Sequence, residues 1–234
     1  MNYGQPAMRL GRIGIKIKGF FFDLDGTLVN STNQIIESVY RTRSSLEYLQ
    51  APEGFVESKI GLPAKELFGD LNLEEAEALR AVILFRSNLI ELRLNLSDLY
   101  EGVPEFLDSL HENGVSLAVV TNKPTNLAIQ VLEDTGISPY FDFVIGADNL
   151  LPKPSPEMIL KCLALKSIQP KEAVMVGDRV EDVLAAKSAG VFAVGIGQGI
   201  HNEDELLNSG AQATFQSISE FHEWIKSGGK IENL

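Results

Sequence analysis

The sequence predicts a doubly wound α/β fold: a parallel sheet with helices on both faces, and a small all-helical domain inserted after the first strand. Three observations carry this reading. Short apolar runs rich in β-branched residues recur without polar alternation, as parallel strands buried on both faces require. Helical patterns lie between these runs, with proline near their starts and glycine just past their ends. One long stretch, residues 31–100, contains helical patterns only.

Residues 1–12 read as a flexible extension. The first strand signal is Ile13 to Phe22, which runs straight into Asp23-Leu24-Asp25-Gly26-Thr27. Ser31-Thr32-Asn33-Gln34 then fits a capping box ahead of Ile35, Ile36, Val39 and Tyr40. Asn72-Leu73-Glu74-Glu75 opens a second long helix whose apolar stripe would hold Leu79, Val82, Ile83, Arg86, Leu89 and Ile90. Beyond Tyr100 the alternation resumes. Strand runs fall at Val115–Val120, Phe141–Ile145, Ala173–Val176 and Val191–Ile196. One helix starts at Pro104 and stops at Gly114, another stops at Gly136, and a third spans Glu181–Ala189 before Gly190. Alternating strand and helix means a parallel sheet. The expected division is an α/β core of residues 13–30 and 101–234, with a helical cap at 31–100.

Composition narrows the function. At 234 residues with 44% hydrophobic content, the chain can bury a full core without disulfide or metal staples. Its single cysteine, Cys162, cannot form an internal disulfide, which points to a reducing cytoplasm. A net charge of -12 repels phosphate backbones and argues against nucleic acid as a partner. No apolar run is long enough to span a bilayer, so no membrane is expected. Met1 to Lys18 carries Arg9, Arg12, Lys16 and Lys18 but no continuous apolar core, unlike a signal peptide. What remains is a partner smaller than a nucleic acid or a membrane, for a monomer or homodimer; the motifs below make it a small phosphorylated metabolite.

The chemistry-bearing residues cluster at strand ends. Asp23 and Asp25 sit just past a buried strand, where ligands bind in open α/β sheets. Two carboxylates there repel each other unless a cation or a shared proton intervenes. Taken alone, Asp-x-Asp reads equally as a strand end with a turn at Asp25-Gly26. It is not alone. Thr121-Asn122-Lys123 ends another strand, Lys153-Pro154 follows a third, and Gly177-Asp178 ends a fourth with Asp182 four residues on. Acid, hydroxyl, amide and ammonium groups converging on one edge suit a phosphate bound beside a divalent cation, and carboxylate oxygens are the hard ligands Mg²⁺ prefers. Three weaker features carry no site. His111, His201 and His222 lack metal-ligand spacing and are expected on the surface. Gly195-x-Gly197-x-Gly199 reads as a loop, not a dinucleotide fingerprint, and Trp224 as a packing residue of the last helix.

The run Phe20-Phe21-Phe22-Asp23-Leu24-Asp25-Gly26-Thr27-Leu28 resembles the first motif of the haloacid dehalogenase superfamily. Thr121, Lys153 and Gly177-Asp178…Asp182 resemble its second, third and fourth motifs, in order. The resemblance implies that Asp23 attacks phosphorus and becomes a phospho-aspartate, dividing one difficult displacement into two easier ones. It implies Asp25 as general acid and then base, with its carbonyl, Asp23 and Asp178 holding Mg²⁺. Thr121 and Asn122 would bind phosphoryl oxygens, Lys153 would balance their charge, and Thr27 would fix the loop carrying Asp25. Asp182, which also suits a helix first turn, would orient Lys153 or a metal-bound water.

An acid at Asp25 sets the chain apart from the carbon–halogen and phosphonate hydrolases of the superfamily. The insert resembles the cap of phosphoglycolate-phosphatase-like members, with Lys59-Ile60-Gly61-Leu62-Pro63 similar to their substrate loop. Gly61, Leu62 and Arg86 are therefore candidate substrate contacts, although an arginine on an apolar stripe also snorkels or pairs at a domain edge. Phosphoglycolate is the leading single substrate. Other sugar or nucleotide monophosphates, pyrophosphate, and a phosphosugar mutase reaction share the same core motifs. A catalytically silent phosphate sensor is the rival from another class; response-regulator receivers use a similar pocket, but they are shorter and lack a cap.

Overall fold

A computed structural model describes residues 17–229. Six parallel strands form one sheet in the order β3-β2-β1-β4-β5-β6. They are β1 (Gly19–Phe22), β2 (Ser116–Thr121), β3 (Phe143–Gly146), β4 (Ala173–Gly177), β5 (Phe192–Ile196) and β6 (Ala213–Phe215). The helices are α1 (Thr32–Ser45), α2 (Glu75–Glu91), α3 (Val103–Glu112), α4 (Thr125–Asp134), α5 (Glu157–Lys166), α6 (Val180–Ala189), α7 (Glu203–Ser209) and α8 (Ile218–Lys226).

The first strand shows why the sheet is doubly wound. All four of its residues are buried, and successive side chains point to opposite faces. Phe20 and Phe22 join Phe106 of α3 and Phe221 of α8 in one core, where the Phe106 and Phe221 rings meet at 5.3 Å. Phe21 enters the other, with Met158, Ile159 and Cys162 of α5 and Val183 of α6. Each fully buried Phe contributes about 1.5–3 kcal/mol, so β1 is anchored from both sides. Its register pairs Phe22 with Val119 of β2 and Val176 of β4. The ends of β1, β2 and β4 therefore open on the same edge.

Between β1 and α3 the chain forms only helices and turns, with an apolar cluster of their own: Ile35, Val39, Ala81, Phe85 and Leu89, joined by Leu127 of α4. Buried Arg43 clamps this unit by a two-pronged contact to Asp70 at 3.0 and 3.1 Å.

Several expectations are corrected. The first strand begins at Gly19, and Ile13 to Lys16 lie outside the described residues, as does the extension 1–12. Ser31 is the N-cap of α1, but its hydroxyl caps nothing and instead reaches Asp25. The buried face of α2 is Ala81, Phe85 and Leu89, leaving Leu79, Ile83 and Ile90 exposed. Phe85 docks edge-on to Phe68 at 6.0 Å; that contact rotates the helix away from the anticipated stripe. His222 is buried with its ring on Phe106 at 5.2 Å, and His201 is half-buried. Both were expected at the surface. Helices α5 and α7 and the edge strand β6 were not anticipated from the sequence.

Candidate active site

Asp23 follows β1, and its N–H donates to Val176 O at 2.9 Å, extending the β1–β4 ladder by one residue. One carboxylate oxygen meets Lys153 Nζ at 2.8 Å. The same ammonium lies 2.6 Å from Asp182 Oδ1 and donates to Val120 O at 2.8 Å. Lys153 thus spans the ends of β1, β2 and α6 from a loop after β3. Burial alone would lower its pKa; the Asp182 and Asp23 carboxylates outweigh that and raise it, keeping the amine charged.

Asp178 follows β4 and is fully buried. It accepts from Thr27 Oγ1 at 2.7 Å and from the Ile200 N–H at 2.9 Å. Two glycines make room for it. A Cβ at Gly26, which has φ +88°, or at Gly199 would collide with its carboxylate. Asp182 accepts the Arg179 N–H at 3.0 Å, so it caps α6 and also holds Lys153. Burial first, then the neighbouring acids, raises the pKa of Asp178; Asp182 is raised by burial too, against the pull of Lys153.

Asp23, Asp178 and Asp182 each place one oxygen within 4.8 Å of the others. Three carboxyl groups meet the single ammonium of Lys153 in a buried pocket, where burial and like charge raise the pKa of Asp178 and Asp182. A divalent cation would favour their ionised forms, and all-oxygen donors fit a hard ion.

The Asp25 carboxylate lies apart from this cluster. Its Oδ1 accepts from Ser31 Oγ at 2.6 Å and from Lys123 Nζ at 2.6 Å. Thr121 ends β2 and accepts the Lys123 N–H at 3.2 Å, leaving its own hydroxyl hydrogen free to donate. The Asn122 side chain links this edge to the cap. Its Oδ1 accepts the Lys153 N–H at 2.8 Å and its Nδ2 donates to Gly61 O at 3.0 Å. The side-chain amide is bonded to the protein at both ends and so positions Gly61 and the Lys153 loop.

Gly61, Leu62 and Arg86 line a cavity between cap and core, together with Ile60, Asp25 and Lys123. Arg86 is exposed and flanks the buried face of α2 instead of lying on it, yet it still borders this cavity. Sequence reasoning assigned no site role to Lys123 or Arg179 and read Ser31 only as a helix cap. The signal for Lys123 and Arg179 was their place inside the second and fourth motifs.

A buried cluster of acids bridged by Lys153 stands at the strand ends of a parallel sheet, beside a helical insert. A family model described as haloacid dehalogenase-like hydrolase matches residues 20–196, and the chain belongs to that family. It is an enzyme of that fold. A relative named "Probable phosphatase IndB" from Dickeya dadantii is 35% identical over 85% of this chain and 89% of its own length. A phosphoglycolate phosphatase of Vibrio parahaemolyticus is 33% identical over 89% and 96%. A crystal structure titled as a predicted phosphoglycolate phosphatase from Haemophilus somnus superposes with a TM-score of 0.80 at 31% identity, covering 88% of this chain and 97% of that one. Chains named pyrophosphatase are similar as well. No helix among the described residues is long and apolar enough to cross a membrane.

Proposed function

We propose that this protein is a Mg²⁺-dependent phosphatase of a small, soluble phosphomonoester and works through a phospho-aspartate. The observation that carries it is Lys153, whose ammonium bridges Asp23 and Asp182 beside Asp178. One Asp23 oxygen attacks phosphorus as the ester P–O bond breaks, and Asp25 gives its proton to the departing oxygen. Water then attacks the phosphoryl group, Asp25 takes the water's proton, and Asp23 leaves as carboxylate with inorganic phosphate. Lys153 and the Thr121 hydroxyl face the charge that builds on the phosphoryl oxygens. Thr27 holds Asp178 in place. Asp23, Asp178 and the Asp25 carbonyl would hold the ion, which supplies charge neutralisation for an anionic substrate approaching an anionic nucleophile.

Core residues address only the phosphoryl group, so the cap selects the ester. The basic groups of Lys59, Arg86 and Lys123 around the cavity suit a leaving group with its own negative charge. Phosphoglycolate, the substrate in the names of several relatives, has that character; pyrophosphate shares it. A phosphate-release screen over a panel of esters and pyrophosphate with Mg²⁺ tests this. Release from none of them, by folded protein, would reject the reading.

A further inference from the structure

The cap meets the core on more than one side. On one side α2 and the segment after it rest on α4. Arg93 Nε donates to Asp134 at 2.7 Å, Gln130 Nε2 donates to Ile90 O at 3.2 Å, and Leu127 enters the cap's apolar cluster. On the other side one turn of the cap reaches the active-site edge, as Ser31 does from the start of the cap through its hydroxyl on Asp25.

That turn is Lys59-Ile60-Gly61-Leu62. Ile60 has φ -57° and ψ 135°, Gly61 has φ +82°, and the Leu62 N–H donates to Lys59 O at 3.1 Å. These are the angles of a type II turn, which requires a positive φ at its third residue. The Ile60 carbonyl takes a hydrogen bond from Arg179 Nη1, and the Gly61 carbonyl takes one from Asn122 Nδ2 at 3.0 Å. A Cβ on Gly61 would stand 2.6 Å from Arg179 Cδ. Glycine therefore serves both the turn and the close approach of the arginine.

Arg179 is built to stay there. Its side chain is 6% exposed and its Nε is paired with Glu181 at 3.0 Å. It lies between Asp178 and Asp182 in the chain, while Asn122 holds the Lys153 N–H with its other end. Successive carbonyls of one cap turn are thus gripped by two arms of the core, one from each side of the phosphate site.

We propose that Arg179 and Asn122 form a latch that holds the cap turn against the catalytic edge. Arg179 is a positioning residue: it touches no reacting atom but fixes where Gly61 and Leu62 stand over the site. Because one Asn122 amide bonds both Gly61 and the Lys153 loop, closing the cap and aligning the lysine share a group. The α4 contacts act as the hinge side and the turn as the side that releases.

Hydrogen–deuterium exchange on the full-length protein, without substrate, tests this independently of which ester is cleaved. Removing a hydrogen bond from a charged donor weakens closure enough to raise exchange across residues 57–67 by about 10–100-fold. That rise is expected in Arg179→Met, with β4 and α2 unchanged, and partial recovery in Arg179→Lys, which restores one donor. Asn122→Asp, which keeps an acceptor for the Lys153 N–H but has no donor for Gly61 O, should loosen the same segment. Exchange within twofold of wild type in Arg179→Met, or an equal rise in β4, would overturn the latch.

Discussion

Lys123 Nζ stands 2.6 Å from Asp25 Oδ1, and both side chains are only 6% exposed. Ser31 Oγ shares the same oxygen. The proposed acid–base residue is therefore held by two side chains from different domains' borders, one after β2 and one at the start of the cap. Removing one member of a buried pair strands the other charge, at about 3–5 kcal/mol. Lys123→Met should accordingly lower stability in urea unfolding by roughly that amount. Asp25→Asn in the same chain should recover much of the loss. A double-mutant coupling near zero would show that the contact is not energetically formed.

Asp23→Asn should abolish phosphate release while leaving the fold intact. The amide is nearly isosteric but hardly nucleophilic. Lys153 keeps Asp182 as a partner, and one of three crowded carboxylates is removed, so stability should hold or rise. Near-normal turnover in the folded, Mg²⁺-supplied variant would reject Asp23 as nucleophile.

The acid cluster predicts a cation effect on stability as well as on rate. A ligand that binds only the folded state stabilises it by mass action. Mg²⁺ should raise the melting temperature of the wild type and do so much less in Asp178→Asn. Chelation should stop turnover and Mg²⁺ should restore it, whereas Ca²⁺, with a larger and looser shell, should inhibit. Full activity after exhaustive chelation would contradict the metal assignment.

Burial pushes the Cys162 thiol from 9.0 up to about 12. In the unfolded chain it ionises near its ordinary value; in the folded protein it stays neutral. Native stability should thus fall as pH climbs from about 9 toward 12, with no contribution from this group below that window. Cys162→Ala should flatten the slope. A thiol reagent should label Cys162 only after unfolding, and rapid labelling of native protein would show that the site opens.

The sheet and its edge chemistry were legible because both rest on short-range patterns. Apolar runs such as Ala173–Val176 end directly in the residues that bear charge, so finding the strand finds Asp178. What stayed hidden depends on tertiary contacts. Edge strand β6 has three residues, too few for a pattern. The face of α2 was misread because Leu79, Ile83 and Ile90 offer a second apolar stripe beside the buried one of Ala81, Phe85 and Leu89, and only the packing of Phe85 on Phe68 decides between them. Ser31 was read as a cap because Ser-x-x-Gln looks like one; its hydroxyl instead turns toward Asp25, a residue brought near only by the fold. Asn122 looked like a phosphate ligand, and only the folded chain reveals Gly61 above it.

The last prediction concerns Arg86. It borders the cap–core cavity from an exposed position on α2, and the buried face of that helix is complete without it in Ala81, Phe85 and Leu89. Packing therefore does not account for its contact with the cavity. Lys123, which also lines the cavity, is occupied by Asp25, which leaves Arg86 and Lys59 as the other basic groups bordering it. A substrate carboxylate or second phosphate would take a charge-assisted bond from Arg86, and its loss is worth about 1.5–3 kcal/mol. Arg86→Ala should reduce kcat/KM about ten- to a hundredfold on an ester with an anionic leaving group. A neutral aryl phosphate offers no partner and should be turned over almost as before. Because Arg86 is exposed, the melting temperature should hardly move. Equal losses on both substrates would show that Arg86 shapes the cap instead of reading the ligand.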